Sequence, residues 1–324
     1  MSLLVRALVA SATLLPLAAQ ESAVVEQGVT FSADVDVINV FATVKDRNER
    51  ILDSLGRKDF VLWEDGYVQK IGYFAYETDL PLKIGLLIDT SGSQSALIPA
   101  ERRAGIQFFR EVLRPTKDSA FLLTFGCEVE LQQDYTESLG LLERALDDLH
   151  HKRCFPSVPQ SAASGARPVG TALYDSLFLA SEEMFRNHAG RKVTVMVSDG
   201  HDSGSKTSLA RAIEAAQRAD VVVYSIQYLD LEIDANLYRD SSGVGAAVLK
   251  EISQQTGGAF YRVSERLRLS DVFAQIEDEM RGVYSIGYTP KRGLHEPGYR
   301  KIKLTSPRMD VKTIQARDGY YAGN

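Results

Sequence analysis

Several things are scarce in this chain of 324 residues, and each scarcity excludes something. There are two cysteines, Cys127 and Cys154. In an exported protein they form one disulfide or remain two unpaired thiols that behave as small apolar groups. The His150-His151 pair stands close to Cys154, but no further cysteine or histidine cluster completes a tetrahedral zinc site, and the segment reads as loop. No cysteine lies near residue 20, which argues against a lipoprotein anchor. After the first twenty residues no apolar run is long enough to cross a bilayer. No basic stretch stands out and the net charge is −6, which argues against a nucleic-acid partner. There is no phosphate-cradling glycine-rich loop of the P-loop kind and no Gly-x-Ser-x-Gly elbow. The single tryptophan, Trp63, reads as a core residue of a β segment.

What is present is 44% hydrophobic and 25% charged, an ordinary globular balance. Residues 1–19 read as a secretory signal: Arg6 supplies the positive start, residues 7–19 are apolar or small, and cleavage is expected near Ala19-Gln20. A secreted or periplasmic location follows. Residues 20–80 carry β-branched strands and a hairpin turn at Glu64-Asp65-Gly66. From residue 81 the pattern alternates. Strands are expected at 84–88, 120–125, 129–131, 193–197, 221–228 and 259–263. Helices are expected at 97–113, 138–149 with Ser138 as cap, from Thr171 to about 187, 207–219, 244–255 and 270–281. Residues 150–170 form a long polar loop. Residues 283–324 revert to short strands at 283–288, 299–304 and 311–315.

Strand alternating with helix predicts an α/β fold: a doubly wound, mostly parallel six-stranded sheet, Rossmann-like, with strand order near 3-2-1-4-5-6 and one antiparallel edge strand. The two β-rich ends, 20–80 and 283–324, are natural partners. The α/β unit at 81–282 would then be inserted in a small split β domain.

The chemistry concentrates where the apolar run at 84–88 meets Asp89-Thr90-Ser91-Gly92-Ser93. A run buried on both faces is a central parallel strand, and its C-terminal edge is where open α/β sheets place their sites. In the expected strand order the 193–197 strand is its neighbour and ends in Ser198-Asp199-Gly200. The helix opened by Thr171 starts on the same face. Asp89, Ser91, Ser93, Thr171 and Asp199 therefore converge, and each offers oxygen. Such a set suits a hard cation: magnesium first, manganese or calcium as alternatives. Only two carboxylates leave residual positive charge, which seeks an anionic oxygen from outside. Asp202, three residues on, is either a supporting contact or a solvated loop carboxylate. His201 is a poorer ligand for a hard cation than oxygen.

These residues resemble the metal-ion-dependent adhesion site of von Willebrand factor type A domains. Asp89-Thr90-Ser91-Gly92-Ser93 matches its Asp-x-Ser-x-Ser, Gly170-Thr171-Ala172-Leu173 resembles the segment that supplies its threonine, and Val197-Ser198-Asp199-Gly200 resembles that of its second aspartate. The flanks, from Asp59 to Phe74 and from Tyr284 to Pro290 with Asp318-Gly319-Tyr320-Tyr321, resemble the exported bacterial VWFA-related family first described from acidobacteria. The resemblance implies that Ser91, Ser93 and Thr171 bind metal directly or by turns, that Asp89 and Asp199 act mostly through bound water, and that the incoming ligand is an exposed Asp or Glu of a partner protein. It departs at Ala166-Arg167-Pro168-Val169, where a further glycine usually precedes Gly170; Arg167 is placed to screen the metal or to add a contact to an acidic partner. In the family the last helix can slide; here the β strands that follow it favour a static helix.

The function expected is a non-enzymatic, metal-dependent binding module of adhesion type. The competitors are a structural subunit of an envelope assembly, in which metal only rigidifies loops, and a metal-dependent hydrolase. No general base is evident outside the metal set, which disfavours the last.

Overall fold

The β-branched and aromatic residues ahead of residue 80 form four strands: β1 (Ile38–Lys45), β2 (Val61–Glu64), β3 (Tyr67–Gln69) and β4 (Ile71–Glu77). The structure, a computed structural model, describes residues 37–151, 170–229 and 238–323. The expected signal segment, Cys154 and Arg167 lie outside the described residues. Asp65 and Gly66 form the two-residue hairpin loop between β2 and β3, both at positive φ (48° and 84°), as a type I′ turn demands. Glu64, expected in the turn, is instead the last strand residue and is buried. Trp63, expected in the core, points the other way and is only half-buried. The strict inside–outside alternation of a strand forces one of the pair outward, and Glu64 has the inward partners: the Tyr288 and Tyr320 hydroxyls donate to its Oε2 at 2.6 and 3.0 Å, and Arg300 stands 3.5 Å from Oε1.

The α/β unit follows as β5 (Leu82–Asp89), α1 (Ile98–Val112), β6 (Ser119–Phe125), β7 (Val129–Thr136), α2 (Leu139–Asp147), α3 (Leu173–Leu179), β8 (Arg191–Ser198), α4 (Leu209–Arg218), β9 (Val221–Gln227), α5 (Tyr238–Thr256), β10 (Phe260–Arg262) and α6 (Leu269–Arg281). Its sheet runs β10-β9-β8-β5-β6-β7, parallel throughout except for β7. This is the doubly wound order expected. Consecutive residues of the central strand feed two separate cores. Leu86 and Ile88 pack with α1, α2 and α6 through Phe108, Leu146 and Phe273. Leu87 packs with α3, α4 and α5 through Leu177, Ile213 and Ile252. Each such side chain contributes about 1.5–3 kcal/mol on burial, which is why residues 84–88 carry no polar side chain ahead of Asp89.

Local details depart from expectation. β7 extends to Thr136, because an edge strand needs only one apolar face and its polar Gln132-Gln133-Asp134 stretch had read as loop. Ser138 stands at the start of α2, but its side chain makes no capping bond. Thr171 does not open the helix: α3 begins at Leu173 and continues as a wider π-helical turn, Ala180–Phe185.

Four strands close the chain: β11 (Val283–Tyr288), β12 (Gly298–Thr305), β13 (Thr313–Ala316) and β14 (Gly319–Ala322). They interleave with the first four in two sheets, β13-β1-β11-β4 and β14-β12-β2-β3, around a core that includes Val40, Leu62, Tyr284, Ile286 and Ile302. The chain after the Asp65-Gly66 loop therefore forms two strands, β3 and β4, one in each sheet. The end of α6 is fastened on both sides: Glu279 pairs with Lys45 and accepts from the Tyr261 hydroxyl, and Arg281 pairs with Asp118 at 2.6 Å.

Candidate metal centre

Parallel register sets the floor of the site. Ile88 of β5 lies opposite Val197 of β8, so Asp89 and Ser198 meet at the C-terminal edge of the sheet. Asp89 is fully buried. Its Oδ2 accepts from the Ser198 hydroxyl at 2.6 Å and its Oδ1 from the Ser91 amide at 2.9 Å. The chain then makes a short 3-10 turn, Gly92–Gln94, which brings Ser93 back over the edge. The Ser91 and Ser93 hydroxyls are 3.2 Å apart, and Ser93 Oγ donates to Asp199 Oδ2 at 2.7 Å. Asp199 is buried in turn, its Oδ1 accepting from the His201 amide at 2.9 Å with the His201 ring 3.2 Å away.

Thr171 reaches the site by its backbone. Its carbonyl accepts from the amides of Ser203 (3.0 Å) and Gly204 (2.9 Å), its amide donates to Ser203 Oγ (3.1 Å), and the next amide, of Ala172, donates to Gly126 O (2.8 Å). Gly126 itself packs against Thr90 and Ser91. The approach of the two loops is close enough that a Cβ on Gly170 would fall 1.8 Å from Ser203 Oγ, so only glycine fits there. Hydrogen bonds thus join Asp89, Ser91, Ser93 and Asp199 directly. Among the described residues, none runs from the Thr171 hydroxyl to those four. Asp202 is half-buried, and its Oδ1 accepts from the Tyr174 amide at 3.2 Å and from the Ser205 hydroxyl, tying the 199–205 loop to the start of α3.

The electrostatics are unbalanced. Burial pushes the Asp89 carboxyl up to about 7, and the charge of Asp199 pushes the same way, against the hydrogen bonds from Ser198 and Ser91. Behind it, on α1, Glu101 is 1% exposed and neither of its oxygens has a hydrogen-bond partner among the described residues. Burial first, and then the charge of Asp89, raise it well above the usual carboxylate range. Among the described residues no lysine or arginine pairs with Asp89 or Asp199. Burying a carboxylate without a counter-charge costs several kcal/mol. A divalent cation removes that cost, and the donor set, two carboxylates and three hydroxyls, is all oxygen, as a hard cation prefers. The residues fit such an ion. A softer, histidine- or cysteine-bound metal has no comparable place: no described group of three or more His, Cys, Asp or Glu side chains gathers, and His151 is engaged with Thr90 O at 3.0 Å.

Sequence reasoning overlooked three contributors. Ser198 lay inside a quoted motif without a role, yet it positions Asp89. Ser203 anchors Thr171. Glu101 carried a legible signal: it interrupts the apolar stripe Ile98, Gly105, Phe108 and Val112 at a core position of α1, and a charge there is unusual. No described cysteine is free; Cys154, the expected partner of Cys127, lies outside the described residues, as does Arg167.

No protein-family model and no curated protein matches the chain. Solved structures do. A von Willebrand factor type A protein from Catenulispora acidiphila is 11% identical, with 91% of this chain and 76% of that one covered and a TM-score of 0.47. The vWF domain of the type V pili tip protein Mfa5 from Porphyromonas gingivalis is 12% identical, over 62% of this chain and 95% of that one, with a TM-score of 0.45. The proximal thread matrix protein 1 of the mussel byssus, in a form with a zinc-occupied MIDAS motif, is 17% identical over 67% of this chain and 50% of that one, with a TM-score of 0.46. The solved structures to which this chain is similar thus include von Willebrand factor type A domains.

Proposed function

We propose that this chain is a cation-dependent protein-binding module of adhesion type, acting outside the cytoplasm, in which Asp89, Ser91, Ser93, Thr171 and Asp199 hold a divalent ion, magnesium first among the candidates. The observation that carries the reading is the pair of buried carboxylates, Asp89 and Asp199, linked through two serine hydroxyls and lacking any lysine or arginine partner among the described residues. When bound, the ion supplies a positive centre able to pair with a carboxylate from a partner.

The side chains divide the work. Asp89 lies deepest, held by Ser198 and by the Ser91 amide, and sets the charge of the floor. Ser91 and Ser93 stand between the two carboxylates, and Ser93, which is half-exposed, faces the entrance. Asp199 is fixed by the His201 amide, and its carbonyl accepts from Gln227 Nε2 at 3.0 Å, which joins the loop to β9. Asp89 is committed on both oxygens, so it serves as a fixed charge and not as a nucleophile. A partner's Asp or Glu completes the site from outside, with Arg167 as a further contact to it. A disulfide between Cys127 and Cys154 restrains the loop that precedes Thr171 in this reading.

The test is calorimetric titration of the whole chain with magnesium, manganese and calcium, followed by capture on an immobilised Asp/Glu-bearing peptide library with and without EDTA. We expect cation binding that Asp199→Ala removes, and peptide capture that EDTA abolishes. A chain that binds none of the three cations overturns the metal site. Capture that ignores EDTA overturns the docking role.

A further inference from the structure

A second cavity opens at the other end of the sheet. It measures about 460 Å³ and lies between the first residues of β8 and β9, the end of α4 and the β1 and β14 strands. Arg191 and Ser198 are the first and last residues of β8, so the cavity is about 23 Å from the metal centre. The two cannot share a ligand.

The cavity has too many cations. Arg191, Lys192, Arg218 and Arg317 line it, with Asp220 as the one carboxylate among its lining residues. That excess of three positive charges sits in a chain whose net charge is −6. Asp220 is taken by Arg317, and Arg218 is paired with Glu214 at 2.9 Å. Lys192 donates to a carbonyl, Ala219 O, at 3.0 Å and feels the charge of Asp220. Arg191 has least. It is 4% exposed, stacks over the Phe41 ring at 5.3 Å, touches the Tyr224 hydroxyl and feels the charge of Glu279, while its Nε and Nη1 find no hydrogen-bond partner among the described residues. Arg317 Nε is likewise unpartnered. A buried guanidinium with two nitrogens left without hydrogen-bond partners is an arrangement that an oxyanion relieves, because its planar fork matches carboxylate and phosphate oxygens. Part of the remaining wall is apolar or aromatic, through Val37, Ile38, Phe41, Tyr320 and Tyr321, and polar groups such as His188 and Gln217 complete it. The volume is that of a small-molecule site.

From these observations we propose that the cavity binds a small organic oxyanion, a carboxylate or phosphate carried on an apolar body, with Arg191 as the principal contact and Lys192 and Arg218 at the rim. Phosphate and carboxylate share the recognising chemistry, and two probes separate them. Phenyl phosphate and benzoate are titrated calorimetrically into the whole chain in EDTA, so that no metal can hold the anion, with phenol as the uncharged control. The expected result is saturable binding of at least one of the two anions, none of phenol, and an affinity at least tenfold lower in Arg191→Gln. Because Arg191 is buried, Lys192→Gln and Arg218→Gln are measured beside it, each expected to weaken binding at least threefold in a chain whose circular dichroism is unchanged. Failure of both anions to bind overturns the proposal, and so does binding that survives all three substitutions.

Discussion

Asp89 and Asp118 are the same residue type, both buried, at opposite ends of the paired strands β5 and β6, and they have opposite fates. Asp118 is neutralised by the chain. It accepts from the amides of Leu82 (2.8 Å) and Arg114 (3.0 Å), and from the guanidinium groups of Arg114 (2.9 Å) and Arg281 (2.6 Å). Burial alone would raise its carboxyl, but those bonds outweigh burial and hold it well below the usual carboxylate range. Asp89 receives hydrogen bonds from Ser198 and Ser91 but no arginine or lysine among the described residues, faces a second carboxylate, and is raised to about 7. A sheet end closed by the chain's own cations is a clamp. A sheet end left negative is a place for something that arrives later.

The sharpest way to break this comparison is substitution. Asp118→Ala strips the half-buried Arg114 and Arg281 of a shared, buried counter-charge and should cost about 3 kcal/mol. Asp89→Asn removes a like-charge repulsion, so in EDTA it should cost nothing or stabilise the chain. Urea denaturation of both variants measures this; equal losses would mean that Asp89 is as structural as Asp118.

Next in size is the pH dependence of the metal-free chain. The folded-state value of Asp89 lies above its unfolded value of 3.8. The folded chain therefore binds more protons between those values, and stability must fall as pH rises from about 4 to about 7, by on the order of 3–4 kcal/mol. Asp118 works the other way: its stabilisation is complete above its unfolded value and is lost as pH falls through its lower folded value, outside that window. Melting in EDTA across pH 4 to 8 should show the decline in the parent chain and its absence in Asp89→Asn. A parallel slope in both would assign the decline elsewhere.

The smallest effect expected is that of Glu101→Gln. Burial favours the neutral form of its carboxyl, and the amide has the same shape. The change should stay within about 1 kcal/mol. A larger loss in denaturation would show that Glu101 is held as an anion by a cation, which would tie it to the metal centre.

Much of this was legible in advance, for a physical reason. The order of the six-stranded sheet follows from strand–helix alternation and crossover handedness alone, and the position of the site follows from where the apolar run ends at Asp89. What stayed hidden were pairings between distant residues. Glu64 read as a turn because its partners, Tyr288, Arg300 and Tyr320, come from the far end of the chain. β7 read as short because an edge strand needs only half an apolar pattern. Ser198 was in view but idle until strand register set it against Asp89. Thr171 was expected at a helix start, yet its backbone, rather than a helix, holds it in place.

The interleaving of the two β sheets has a consequence for the order of events during synthesis. In its sheet β1 is paired with β11 and β13, both beyond residue 282, and β2 shares a sheet with β12 and β14. The Tyr320–Glu64 bond spans 256 residues. β2 and β3 close their hairpin locally, but β1 and β4 gain their shared neighbour β11 only after the α/β unit, whose contacts are more local, brings the two ends together. Loop closure costs entropy only once in that order. The α/β unit is thus the template on which the flanking sheets are zipped, and the fastening of Glu279 and Arg281 at the end of α6 is the last turn before the zipper starts.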